Sequence, residues 1–244
     1  MFRNLPPVTK NLIIINFIVW LAMFILPARL GFDVERFGAL HYFQASYFNP
    51  AQLFSYMFMH DSRNLAHILF NMFTLFMFGV TLERTLGSKR FLFFYLSCGI
   101  GAALVQELVW AVTWPGIFAK ALAPLNGVSV ADMTEYLKES ADEPQVRMML
   151  NQLATIGASG AIYGVLLAFG MLFPNVPLYF MFVPVPIKAK WMVLGYGVIE
   201  LLIGMSQAND GVAHFAHLGG MIFGFIIIWY WKKKGTTGGF GGYV

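Results

Sequence analysis

Residues 213–231 read AHFAHLGGMIFGFIIIWYW. A run of about 20 mostly apolar residues is what a helix needs to cross the hydrocarbon core of a bilayer, so this stretch is read as a membrane span. Two histidines, His214 and His217, stand near its start. Gly220 and Gly224 follow His217 at i+3 and i+7, on the histidine's own helix face. Ionisable groups are costly at membrane depth and are functional candidates there. A bare glycine stripe lets a neighbouring backbone come close.

The whole chain agrees with that span. Of 244 residues, 58% are hydrophobic and only 11% charged, with mean hydropathy +0.66; an ordinary soluble domain is about 25% charged. So little charge cannot cover so much apolar surface in water. The net charge of +4, with no basic face interleaved with aromatics, disfavours a nucleic-acid partner. The single cysteine, Cys98, excludes an internal disulfide or a thiolate zinc site.

Apolar segments at about 11–28, 64–82, 91–113, 153–173, 189–206 and 211–231 predict an all-α membrane protein of six transmembrane helices. Trp110, Trp114, Trp191, Trp229 and Trp231 fall near span ends, where interfacial anchors are expected. No small-x-small cleavage site follows the first span, so it is read as a retained helix. With both termini in the cytoplasm, ten Lys and Arg face one acid, Glu83, on the inside; six positives and nine acids share the outside. The positive-inside rule favours that orientation and makes the loops 29–63 and 114–152 extracytoplasmic. Residues 1–234 are taken as a single domain, and the glycine-rich tail 235–244 as disordered.

Polar residues inside the spans carry the functional reading. His67 and Asn71 are spaced i,i+4 on the second span; the fourth contains Gly157-Ala158-Ser159-Gly160-Ala161-Ile162-Tyr163-Gly164. Each alone has a bland explanation: an intramembrane serine commonly bonds its own helix, and a histidine commonly bridges two helices. Together they differ. Placed on a span of 153–173, Ser159 lies about 9 Å below its outer end, at the depth of His67 and His217. Glycine stripes on both the serine and the histidine helices permit close approach.

The chemistry that follows is acyl transfer. Ser159 attacks a peptide carbonyl, and His217 takes its proton and returns it to the leaving amine. The Ser159 N–H, His67 and Asn71 form the oxyanion hole. Tyr163, one turn below Ser159, packs on the imidazole. With no carboxylate assigned to that depth, a Ser159–His217 dyad and a slow enzyme are expected. No cofactor or metal is called for.

These segments resemble the rhomboid intramembrane serine proteases from about His60 to Gly224. His67-Ile68-Leu69-Phe70-Asn71 matches the family's H-x-x-x-N, and Glu83 to Arg90 its E-x-x-x-G-S-x-[KR] turn. Gly157-Ala158-Ser159-Gly160 with Tyr163 matches its nucleophile motif, and Ala216-His217-Leu218-Gly219-Gly220 with Gly224 its A-H-x-x-G-x-x-x-G helix. The resemblance implies a six-helix bundle cleaving transmembrane protein substrates, with Ser159 as nucleophile, His217 as base, and Gly157, Tyr163, Gly220 and Gly224 in support. Composition makes membrane lipid the surroundings, and the lack of organelle-targeting features points to a bacterial source and so to a cell membrane; the resemblance implies a site opening outward. It further implies a first loop partly in the membrane, suited to Phe43, Tyr47 and Phe48, a cap at about Gln207 to Val212, and a fifth helix acting as a lateral gate.

Two features depart from the pattern. His214 competes for the role of base, but the glycine register favours His217. The loop 114–152 is long; its Ser129 to Ala141 stretch has a capping-box start at Ser129 and Asp132 and reads as a short amphipathic helix, either over the entrance or simply solvated. Glu107 and Glu200 are expected to pair with hydroxyls or amides between helices. Three competing functions are set aside. An inactive relative would lack the serine or histidine, a transporter would show an inverted repeat, and a metalloprotease would need a carboxylate beside His214 and His217.

Overall fold

The computed structural model describes residues 5–179, 185–206 and 212–235. Lipid offers no hydrogen-bond partners, so apolar segments satisfy their backbones by coiling, and the result is a helical membrane bundle. Helix α1 (Pro7–Leu30) starts on a proline, whose missing N–H is no loss there, and stops at Gly31 in left-handed conformation. The first loop then forms α2 (Val34–Gly38), β1 (Leu40–His41) and α3 (Gln52–Ser55). The second long helix is continuous over Leu65–Leu86: α4 (Leu65–Thr74), a π-helical stretch at Leu75–Gly79, and α5 (Val80–Leu86).

Then follow α6 (Ser88–Asn126), α7 (Val130–Glu139), α8 (Pro144–Met149), β2 (Ala154–Thr155) and α9 (Ser159–Leu172). A short hairpin of β3 (Pro177–Tyr179) and β4 (Pro186–Lys188) leads to α10 (Ala189–Ser206) and α11 (His214–Lys233). Five of these helices, α9 not among them, are long and apolar enough to span a bilayer.

The centre is the trio α6, α9 and α11, each packed on the other two. Small residues decide this. A Cβ on Gly220 would fall on the Gly160 carbonyl oxygen, and one on Gly224 would lie 3.1 Å from Gly164 Cα. Gly160 thus meets Gly220 and Gly164 meets Gly224, so α9 and α11 run the same way. A Cβ on Gly160 would lie 2.6 Å from Ala102, and one on Gly164 would lie 2.5 Å from Cys98, so α6 runs the opposite way. Around this trio, α1 and α10 turn apolar side chains such as Ile18, Ile25, Val198 and Leu202 outward, as lipid permits.

Glu83 explains the turn after α5. Its carboxylate accepts from the backbone N–H groups of Val8 and Thr9, from Thr9 Oγ1 and from Ser88 Oγ. It therefore caps the positive end of α1 from another helix and ties α1, α5 and the start of α6 together.

Three expectations need correction. The third span does not end near residue 113: α6 carries Pro115 and Pro124 inside it and runs to Asn126. Its 39 residues span about 58 Å, far more than a hydrocarbon core of about 30 Å, so its C-terminal part projects beyond the core. Trp110 and Trp114 are not interfacial anchors but are buried, because the projecting half of α6 is covered. The fourth span does not begin at 153, since residues up to Ala158 are not helical.

The amphipathic helix expected at Ser129 to Ala141 is present as α7. The Ser129 hydroxyl accepts from the Asp132 N–H at 3.1 Å, and Met133 and Leu137 are buried in the core that includes Trp110, Trp114 and Phe118. It packs on α6. Most of the expected cap, residues 207–211, and the tail from 236 onward lie outside the described residues.

Candidate active site

The chain reaches Ser159 in extended conformation. β2 pairs antiparallel with β1, Leu40 opposite Thr155 and His41 opposite Ala154. The Gly157 N–H then donates to the Tyr56 carbonyl at 3.0 Å. Gly157 sits at φ +132°, a conformation that side-chain-bearing residues avoid, and this bend turns the strand into α9. Ser159 is therefore the first residue of its helix rather than one about six residues in. The first-turn amides of a helix have no intrahelical acceptor and carry its positive dipole end, so the serine hydroxyl lies where an anion is favoured.

His217 stands one turn into α11, and its Nε2 lies 2.8 Å from Ser159 Oγ. The Tyr163 ring stacks on the imidazole, with centroids 4.2 Å apart and planes 6° from parallel. Both contacts follow from the glycine-paired approach of α9 and α11. His67, on α4, accepts the Asp61 N–H at Nδ1 over 3.3 Å. That leaves Nε2 to carry its proton as a donor. A Cβ on Gly157 would lie 3.0 Å from His67 Nε2 and 3.5 Å from Ser159 Oγ, so the absent side chain leaves a gap between these two groups. Asn71 Nδ2 donates to the His67 carbonyl at 2.7 Å, committing one of its two hydrogens to its own helix.

Ser159, Gly157, His67, Asn71 and His217 line one cavity of about 570 Å³, together with Tyr56, Phe70, Ala213 and Ala216 and, among its charged residues, Glu35, Asp61 and Arg63. Gly220 and Gly224 do not line it; they act through the contact of α11 with Gly160 and Gly164 of α9. No residue of α7 lines it, so that helix braces α6 instead of covering the entrance. Behind His67 lies His60, wholly buried with its ring centroid 5.0 Å away. Burial first, then the neighbouring His67 imidazole, pushes its pKa down to about 3, so His60 is neutral in any working buffer.

The expectation that no carboxylate shares this depth is wrong. Glu200 of α10 turns inward and is buried. Its Oε1 accepts the Tyr163 hydroxyl, and its Oε2 lies 2.6 Å from His214 Nδ1 and 2.9 Å from His217 Nδ1. The His217 contact is at ion-pair distance, although its N–H does not point squarely along the line. The signal was available in the sequence. Glu200 is six residues from the outer end of the 189–206 span, the depth already assigned to the serine. Glu107 also finds a partner: its Oε2 accepts the Phe43 N–H at 2.9 Å and fastens the first loop to α6.

Among the described residues, Glu200, His214 and His217 form a set with donor atoms within 4.8 Å of one another, the residue types that bind a borderline divalent cation. In the structure those atoms are engaged with one another and with Ser159 and Tyr163.

Comparison with known proteins gives one consistent result. A family model described as the rhomboid domain matches residues 48–234. The chain is 26% identical over 243 residues to Rhomboid-like protein 11, chloroplastic, of Arabidopsis thaliana, covering 91% of this chain and 64% of that one. It is 26% identical over 167 residues to Rhomboid protein 1, mitochondrial, of Saccharomyces cerevisiae, covering 68% and 38%. To Rhomboid protease GlpG of Haemophilus influenzae it is 29% identical over 142 residues, covering 57% and 72%. The chain thus spans under two thirds of the first two of these relatives.

Proposed function

The chain belongs to the rhomboid family, and from that premise we propose that it is a serine endopeptidase acting within the membrane on proteins that themselves span it. The observation that carries this reading is the 2.8 Å contact between Ser159 Oγ and His217 Nε2, both lining one cavity of a helical membrane bundle. His217 Nε2 accepts the hydroxyl proton as Oγ bonds to the scissile carbonyl carbon. The resulting oxyanion is received by the first-turn N–H groups of α9 with His67 Nε2 and Asn71 Nδ2. Collapse of the tetrahedral species breaks the C–N bond, and the imidazolium gives its proton to the departing amine. Water, deprotonated by the same imidazole, then hydrolyses the acyl-serine. No metal or cofactor enters this sequence.

The positive-inside count supports cytoplasmic termini and a cavity that opens to the extracytoplasmic side of a cell membrane; on this reading the cut falls near the outer end of the substrate helix. The test is cleavage of a labelled single-span substrate in liposomes. Wild type is expected to make one cut near the substrate's outer end, and Ser159→Ala none. Equal cleavage by both would remove the serine mechanism, and failure of a fluorophosphonate to label folded wild type at Ser159 would favour an inactive relative.

A further inference from the structure

Among the described residues, one carboxylate lies against His217 and has no part in the reaction as written: Glu200. We propose that Glu200 is a positioning residue that fixes the tautomer and plane of His217, making the pair a Ser159–His217–Glu200 arrangement. The inference rests on the serine-peptidase reading above and adds a group to it.

An ionised carboxylate oxygen only accepts. Oε2 lies 2.9 Å from His217 Nδ1 and 2.6 Å from His214 Nδ1, so both imidazoles are favoured with a proton on Nδ1. For His217 that choice leaves Nε2 as a lone pair, and Nε2 is the atom 2.8 Å from Ser159 Oγ. The other tautomer would turn an N–H toward the serine and a lone pair toward the carboxylate. A base orienter works by selecting between these two. Oε1 accepts from Tyr163, whose ring lies flat on His217. Glu200 therefore acts on the imidazole from two directions, at Nδ1 through its charge at ion-pair distance and at its face through the tyrosine.

Glu200 is buried and comes from α10, whereas Tyr163 comes from α9 and both histidines from α11. Beyond these partners, the titratable groups nearby among the described residues are Tyr196, which meets Tyr163 edge to face, and His67, Asp61, Glu35 and Arg63, which line the same cavity as His217. Among the described residues, Glu200 is the carboxylate at ion-pair distance from His217, so it is the group placed to stabilise the imidazolium formed when Ser159 gives up its proton.

The experiment compares wild type with Glu200→Gln, Glu200→Asp and Tyr163→Phe in liposomes, measuring cleavage rate against substrate concentration and pH. Thermal unfolding and fluorophosphonate labelling of Ser159 are recorded on the same preparations. Glu200→Gln keeps the shape and removes the charge. It is expected to lower kcat at least tenfold with KM changed less than twofold. It is also expected to move the acid limb of the rate profile to lower pH, because the imidazolium has lost its counter-charge. Glu200→Asp is expected to recover the wild-type position of that limb with part of the rate. Tyr163→Phe, which keeps the ring, loses less than Glu200→Gln. A Glu200→Gln enzyme with wild-type rate and pH profile would overturn the proposal. So would a lower rate with an unmoved profile that tracks the fraction of folded protein, since that is a structural role. If wild type itself neither cleaves by way of Ser159 nor is labelled there, the serine-peptidase reading fails first and takes this one with it.

Discussion

Gly220 has no room for a methyl group: its Cβ would fall on the Gly160 carbonyl oxygen, which is backbone and cannot swing aside. Gly220→Ala must push α9 and α11 apart. We expect a loss of about 1–3 kcal/mol of stability from overpacking and slower labelling of Ser159, read by thermal unfolding and a fluorophosphonate time course. Gly157 poses a different constraint. Alanine there adds strain at φ +132° and fills the gap beside His67 Nε2 and Ser159 Oγ. Turnover is expected to fall on the order of 10²–10³, as for loss of an oxyanion donor, with only a modest change in melting temperature. A Gly157→Ala enzyme of wild-type turnover would mean that the oxyanion sits elsewhere. His60 gives a prediction in pH. Its pKa falls from an ordinary 6.5 to about 3 on folding, so between those values the unfolded chain binds more protons. Stability is then complete above about pH 6.5 and drains away as pH falls toward 3, by up to about 1.4 kcal/mol per unit. His60→Phe should flatten that dependence in acid unfolding of the detergent-solubilised protein.

At the scale of elements, α7 buries Met133 and Leu137 against α6 and lines no part of the cavity. Replacing 129–141 by a glycine–serine linker should therefore lower the melting temperature by several degrees while leaving the cleavage site and kcat near wild type. A large loss of kcat at unchanged stability would instead give this helix a place at the entrance. The same helix shows what the sequence could convey. Its Ser129–Asp132 cap and apolar spacing are local signals, and they were readable. So were the apolar runs of α1, α4–α5, α10 and α11, since lipid imposes length and composition directly. The start of α9 was not: the apolar run continues back to 153, and only the pairing of β2 with a strand more than a hundred residues earlier pulls those residues out of the helix. The extent of α6 was hidden for the converse reason. The apolar run thins out near 113, yet the helix continues through Pro115 and Pro124 to Asn126, packed against α7. At the site, spacing on single helices brought out Ser159, His217, His67 and Asn71. Glu200 was read as pairing with an interhelical hydroxyl or amide, and Tyr163 supplies the hydroxyl; its contacts with His214 and His217 were not drawn, because they join two helices and spacing on one helix does not show them.

The molecule as a whole is polar in a second sense, from end to end. α9 and α11 begin at the same end, where Ser159 and His214 stand, and the antiparallel α6 carries its projecting C-terminal half and α7 past that end. Lys89 and Lys232 to Lys234 lie at the far ends of their helices. The cavity, α7 and the first loop should therefore share one side of the membrane, and the lysine-rich turns the other. Cys98 is the single cysteine and is wholly buried, so one introduced exposed cysteine reports its side cleanly. Lys138→Cys and Lys234→Cys, each exposed in the structure, are to be labelled in intact cells with a membrane-impermeant maleimide. We expect Lys138→Cys to react from outside and Lys234→Cys only after the membrane is opened. The reverse pattern would turn the cavity toward the cytoplasm and place the cut at the inner end of the substrate helix. Reaction of both from outside would break the link between the ends of the bundle and the sides of the membrane, and with it the assignment of the site's depth.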